Sequence, residues 1–185
     1  MNKKVLWITR TGLFVALLVT LQWVTGTLTS AAPPPFNTLV TGSVVNLILI
    51  VSVMTCGLAS GAAVAVLSPV MAFIMPIPIG PQFPAIIPLI CFGNLALVIL
   101  WSLIGNCKIP YKYLAYVIAL VVGAVGKFLV LYIGVVKIVA PLILDLPPAA
   151  PIYVMFSYPQ LITASIGGAL AILVLPILNK AINKN

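Results

Sequence analysis

Lys127 is the residue of this chain whose chemistry is hardest to reconcile with its surroundings. It lies in YLAYVIALVVGAVGKFLVLYIGVV, residues 113–136, a run otherwise almost wholly apolar and long enough to cross the hydrocarbon core of a bilayer as a helix. An ammonium group at that depth costs about 2.5–3.5 kcal/mol on insertion scales, so a compensating partner is expected. A small guest bearing a carboxylate or phosphate would serve, because such a pair is strong where water is absent. Two other readings compete: the lysine snorkels to an interface, or it pairs with Asp145, the only acid in the protein. Snorkelling is hindered by nine further residues, all apolar or small, up to Val136, some 13 Å of helix.

Other polar groups fall at related depths. Counted inward from the expected outer boundaries at about 1.5 Å per residue, Asn46, Asn94, Lys127 and Ser165 share one level, roughly 12–14 Å deep. Nearer the outer surface come Gln22 and Trp23, then Asn37, Gln82, Tyr158, Gln160 and Thr163. Such a set offers hydrogen bonds to a polar ligand and aromatic surface to its apolar part. Asn46 and Asn94 can equally tie helices together, each for about 0.6–2 kcal/mol. For Asn46 the tying role is the stronger reading; for Asn94 the two balance, and a place beside Lys127 requires the fourth and fifth helices to pack antiparallel. Catalysis has little to work with: one Asp, no Glu and no His leave no acid–base pair and no metal cluster. Cys56, Cys91 and Cys107 lack C-x-x-C spacing and read as small core residues.

The elements that must position these groups follow from composition. A chain of 185 residues that is 63% hydrophobic and 5% charged, with a mean hydropathy of +1.31, is a polytopic membrane protein, all-α and a single domain over residues 1–185. Six transmembrane helices are expected, at 5–28, 38–55, 62–75, 85–104, 113–136 and 157–178. Residues 57–61, rich in Gly and Ser, read as the turn between the second and third. A cleaved signal peptide competes for the first run, since Ser30-Ala31-Ala32 suits a peptidase, but Arg10 and Gln22 interrupt the apolar core such a segment needs. Lys3, Lys4, Arg10, Lys108, Lys112, Lys180 and Lys184 collect on one side and only Lys137, offset by Asp145, on the other. That asymmetry places both termini in the cytoplasm. The net charge of +8 therefore encodes topology in the cell membrane, and nucleic acid is rejected as a partner.

Proline concentrates in the expected outer loops, 31–36, 76–84 and 141–151, which hold eleven of the sixteen. Each proline fixes φ and removes a donor, so these loops read as stiff covers over a pocket opening outward. The first helix carries small residues at every fourth position, Gly12, Ala16 and Thr20, a stripe that lets another helix come close.

Six helices with cytoplasmic termini, the stripe Gly12-Leu-Phe-Val-Ala16-Leu-Leu-Val-Thr20, the asparagine of Phe92-Gly-Asn94 and the lysine of Gly126-Lys-Phe128 together resemble the substrate-binding S component of an energy-coupling factor transporter, over essentially the whole chain. The resemblance implies a vitamin or related micronutrient as ligand, bound near the outer face by Asn94, Lys127, Tyr158, Gln160 and Thr163, with Gln82 and Trp23 above them. It also implies that Gly12, Ala16 and Thr20 meet a transmembrane coupling subunit, with Thr20 where a second alanine is the family's habit. Two cytoplasmic ATPases would then drive a toppling of the S component in the bilayer. No cofactor is implied. The residues agree on one point: Gly123-Ala-Val-Gly126-Lys127-Phe128 lacks the first glycine and the final Ser/Thr of a P-loop, so energy must come from a partner. A homo-oligomeric channel or facilitator with Lys127 in an anion-selective ring is the alternative.

Overall fold

The structure, a computed structural model, describes residues 3–32, 35–75, 83–107, 110–147 and 150–182. Within these residues the backbone is helical with no strand. In order come α1 (Lys3–Leu28), α2 (Phe36–Cys56), α3 (Leu58–Ile74), a 3₁₀ turn at Pro84–Ile86, α4 (Ile87–Gly105), α5 (Lys112–Leu131), a π-helical segment at Tyr132–Ile143 that continues α5, the short α6 (Pro151–Met155) and α7 (Tyr158–Ile182). Helices are what apolar sequence must form without water, because each then satisfies its own backbone. Five of them are long and apolar enough to cross a membrane; α3, with 17 residues, is shorter. This architecture is compatible with a chain that passes through a bilayer several times.

Two expected boundaries move. The joint between α2 and α3 is Gly57 alone, at φ 88°, a conformation that side chains with a Cβ rarely adopt; Leu58 already opens α3. The fifth span does not stop at Val136, because the backbone changes from i→i+4 to i→i+5 bonding and runs on to Ile143. Lys137 and Pro141, expected in an outer loop, are thus helical. The wider winding brings Lys137 over the ring of Tyr132, five residues earlier, at 5.4 Å from its centroid.

α2 lies in the middle of the bundle, packed by α1, α3, α4 and α7, and α5 closes the ring between α4 and α7. Glycines set the spacing. A Cβ on Gly167 of α7 would stand 2.7 Å from the Asn46 Cβ and 2.8 Å from the Ser43 carbonyl oxygen, and one on Gly42 would stand 2.9 Å from a Thr163 methyl, so α2 and α7 run parallel and nearly touching. Gly93, Gly105, Gly123 and Gly134 meet Leu131, Tyr116, Trp101 and Leu89 in turn, which is an antiparallel register for α4 and α5. The main core gathers around Leu18, Leu49, Ile50, Val64, Leu97 and Trp101. A second cluster, with Ile86, Leu131, Val135, Val139, Ile152 and Phe156, ties the 3₁₀ turn, the π segment and α6 into a cap over one end of the bundle.

Candidate functional site

The antiparallel register of α4 and α5 and the close α2–α7 contact bring four side chains to one point. Lys127 is 4% exposed, and its Nζ donates to Oδ1 of Asn46 at 2.6 Å and to Oδ1 of Asn94 at 2.8 Å. Each amide is then held from behind. Asn46 Nδ2 donates to Thr163 Oγ1 at 3.3 Å, and that hydroxyl donates to the Gln160 carbonyl at 3.1 Å. Asn94 Nδ2 donates to the Ala65 carbonyl at 3.3 Å. All bonds run outward from the cation, so each polarises the next in a dry interior. Both amide flips are thereby settled, with oxygens facing the ammonium.

The Ala65 carbonyl is free to accept for a reason written in the chain. Four residues on, where the helix would supply an N–H, stands Pro69. The proline inside α3 removes that donor, and Asn94 replaces it. The Ala65–Pro69 step is the part of the site that sequence reasoning passed over; a proline four residues after a carbonyl in an apolar helix was the available signal.

Of the expected ligand residues, Lys127, Asn94 and Thr163 come together. Asn46, read chiefly as a helix tie, is the shorter of the two contacts to the ammonium. Ser165, placed on the same level, is absent from the network, and Thr163 takes that part. The Gln160 side chain turns away, donating to the Met155 carbonyl at 3.0 Å, though its backbone belongs to the network. Tyr158 is 54% exposed at the start of α7. Trp23 is not brought to Lys127: it is 47% exposed on α1, whose neighbours are α2 and α3. Gln82 lies outside the described residues. Neither alternative partner for the lysine is realised, since its ammonium is inside the bundle and makes no ion pair with Asp145.

Nearer the capped end, two buried oxygens stand without hydrogen-bond partners among the described residues, Gln22 Oε1 on α1 and Thr41 Oγ1 on α2. Buried polar atoms are normally paired; here an amide oxygen that can only accept and a hydroxyl that can donate or accept are left open. Gly12, Ala16 and Thr20 are all exposed, and nothing lies within 4 Å of a Cβ built on Gly12. The opposite face of α1 carries the packing, with Leu18 buried and Thr11 Oγ1 bonded to Ser60 Oγ at 3.0 Å. Among the described residues no three His, Cys, Asp or Glu side chains gather to hold a metal ion.

The site's chemistry is that of a lysine amine held only by neutral dipoles, with no carboxylate beside it to cancel its charge when it is protonated. Amides and a hydroxyl satisfy hydrogen bonds but cancel no charge, so an anion brought alongside still gains. The chain matches no family model, no curated protein and no solved structure.

Proposed function

We propose that this chain is the substrate-binding subunit of an energy-coupling factor type uptake system, taking up a vitamin or related micronutrient that is anionic in the manner of pantothenate. In this reading α3 counts as a sixth span, both termini lie in the cytoplasm, and the capped end faces outward in the cell membrane. The ligand is captured from outside and delivered with a transmembrane coupling subunit and two cytoplasmic ATPases. The chain itself performs no catalysis.

The observation that carries the proposal is the Lys127 ammonium, buried among α2, α4 and α5, hydrogen-bonded to two amides and opposed by no carboxylate. A lysine used only to tie helices would be replaceable by a neutral donor without the cost of burying charge. Gln22 and Thr41 add an open amide oxygen and an open hydroxyl for the polar part of a guest. The bare stripe of Gly12, Ala16 and Thr20 leaves one helix face free for the coupling subunit. An anion-selective ring on a symmetry axis would need Lys127 to face a neighbouring copy, and at 4% exposure within one chain's bundle it favours a site enclosed by a single protomer.

Native mass spectrometry of the gently purified protein, seeking a retained small acid, followed by titration of that acid into wild type and Lys127→Met, tests the proposal. The variant is expected to lose about ten- to a hundredfold in affinity, as befits a charged hydrogen bond, while remaining folded. Unchanged affinity in a folded Lys127→Met protein would sink it.

A further inference from the structure

At the end of the bundle away from the cap, the first turns of α1 and the last residues of α2 enclose a cleft of about 170 Å³, lined by Leu6, Trp7, Arg10, Thr55 and Cys56. Arg10 is half-buried there and, among the described residues, makes no hydrogen bond or ion pair. A guanidinium offers five N–H donors in a rigid fork, accepts nothing and stays charged. It sits about 10 Å along α1 from Lys3, within reach of the headgroup layer. The only acid of the chain, Asp145, follows the π segment at the opposite end. Among the described residues no carboxylate therefore stands beside Arg10, and the guanidinium is open to an anion from outside the chain.

We infer that this cleft binds the phosphodiester headgroup of an anionic phospholipid. The guanidinium fork matches two phosphate oxygens, a pairing that gives both energy and orientation. The remaining wall decides between sources of phosphate. Leu6 and Trp7 give the cleft apolar surface, and Trp7, 40% exposed, has the amphipathic ring favoured at the level of headgroups. A free phosphate would leave that surface uncovered, whereas a lipid lays its glycerol and upper acyl carbons against it. At about 170 Å³ the cleft is many times the space that a single water needs, room for a phosphodiester and the atoms joined to it. The inference is independent of the transport reading and holds whichever leaflet this end faces.

The test is native mass spectrometry of the full chain in detergent, titrated with phosphatidylglycerol, phosphatidylcholine or inorganic phosphate. Wild type is expected to retain one phosphatidylglycerol under conditions that strip phosphatidylcholine, and inorganic phosphate should not displace it. Arg10→Gln should weaken retention about fivefold, the effect of one basic residue at an anionic surface. Cys56→Trp, which fills the cleft without touching the charge, should do the same, and labelling of Cys56 by a thiol reagent should slow when phosphatidylglycerol is present. Equal retention of the two lipids, wild-type retention by folded Arg10→Gln, or displacement by inorganic phosphate would each overturn the assignment. So would variants that keep the lipid but lose a co-purifying protein, which would give the cleft to a protein partner.

Discussion

Lys127 and Arg10 are both cations on apolar helices, and the fold treats them in opposite ways. Lys127, about 22 Å along α5 from Lys112, is wrapped by amides from α2 and α4, themselves held by α3 and α7. Arg10, about 10 Å from the start of α1, is left facing a cleft with no partner from the described chain. The difference is one of reach. A charge that can find water or a headgroup needs no scaffold, while one that cannot must be solvated by side chains whose positions cost helix contacts elsewhere. The glycines at 42 and 167 and the proline at 69 belong to that scaffold.

The most severe way to break the contrast is to strip the cage and keep the charge. Asn46→Leu or Asn94→Leu is expected to cost about 1.5–3 kcal/mol each, the range for a hydrogen bond to a charged group, and the double variant more. Adding Lys127→Met to the double variant should recover most of the loss in thermal unfolding of the purified protein, because no cation then needs solvating. A triple variant as unstable as the double would mean that the asparagines act by shape alone.

Next in size is the spacing that brings the amides together. Gly167→Ala is expected to cost about 1–3 kcal/mol, since its methyl group would press on the backbone of α2 at Ser43 and Leu47, which cannot turn aside. Gly12→Leu makes the matching control. It meets nothing within the chain, so stability should be unchanged, but co-purification with a coupling complex should fall if the stripe is the docking face. Loss of stability in Gly12→Leu would show that α1 packs more tightly than its exposed face implies.

Much of this was readable from residue order alone. Composition revealed the apolar helices, and depth counting put Asn46, Asn94 and Lys127 on the one level where they now bond. Depth, however, says nothing of direction around a helix. Ser165 and Thr163 differ by about 3 Å in height but by some 200° in azimuth, and only Thr163 faces Asn46. The same holds for α1 at larger scale: nothing in the chain tells which neighbours it will have, and Trp23, expected above the site, stands half-exposed on a helix packed by α2 and α3. The π segment escaped notice because an apolar run serves i→i+4 and i→i+5 bonding equally, and Lys137 and Pro141 looked like the end of a helix. Lys137→Gln there should cost about 0.5–1 kcal/mol, the worth of an exposed cation–π contact with Tyr132.

The smallest effect is the most telling for the comparison. Arg10→Gln should change the unfolding midpoint of the delipidated protein by no more than about 0.5 kcal/mol equivalent, as for a residue without partners in the fold. If the cleft holds a lipid phosphate, the same substitution should matter once anionic lipid is restored, because a ligand that binds only the folded chain stabilises it by mass action. Wild type would then gain stability from phosphatidylglycerol and Arg10→Gln would gain less, whereas Lys127 variants would shift equally with and without lipid. A destabilised Arg10→Gln in lipid-free detergent would erase the distinction, since it would place the guanidinium among the protein's own contacts and make both cations structural.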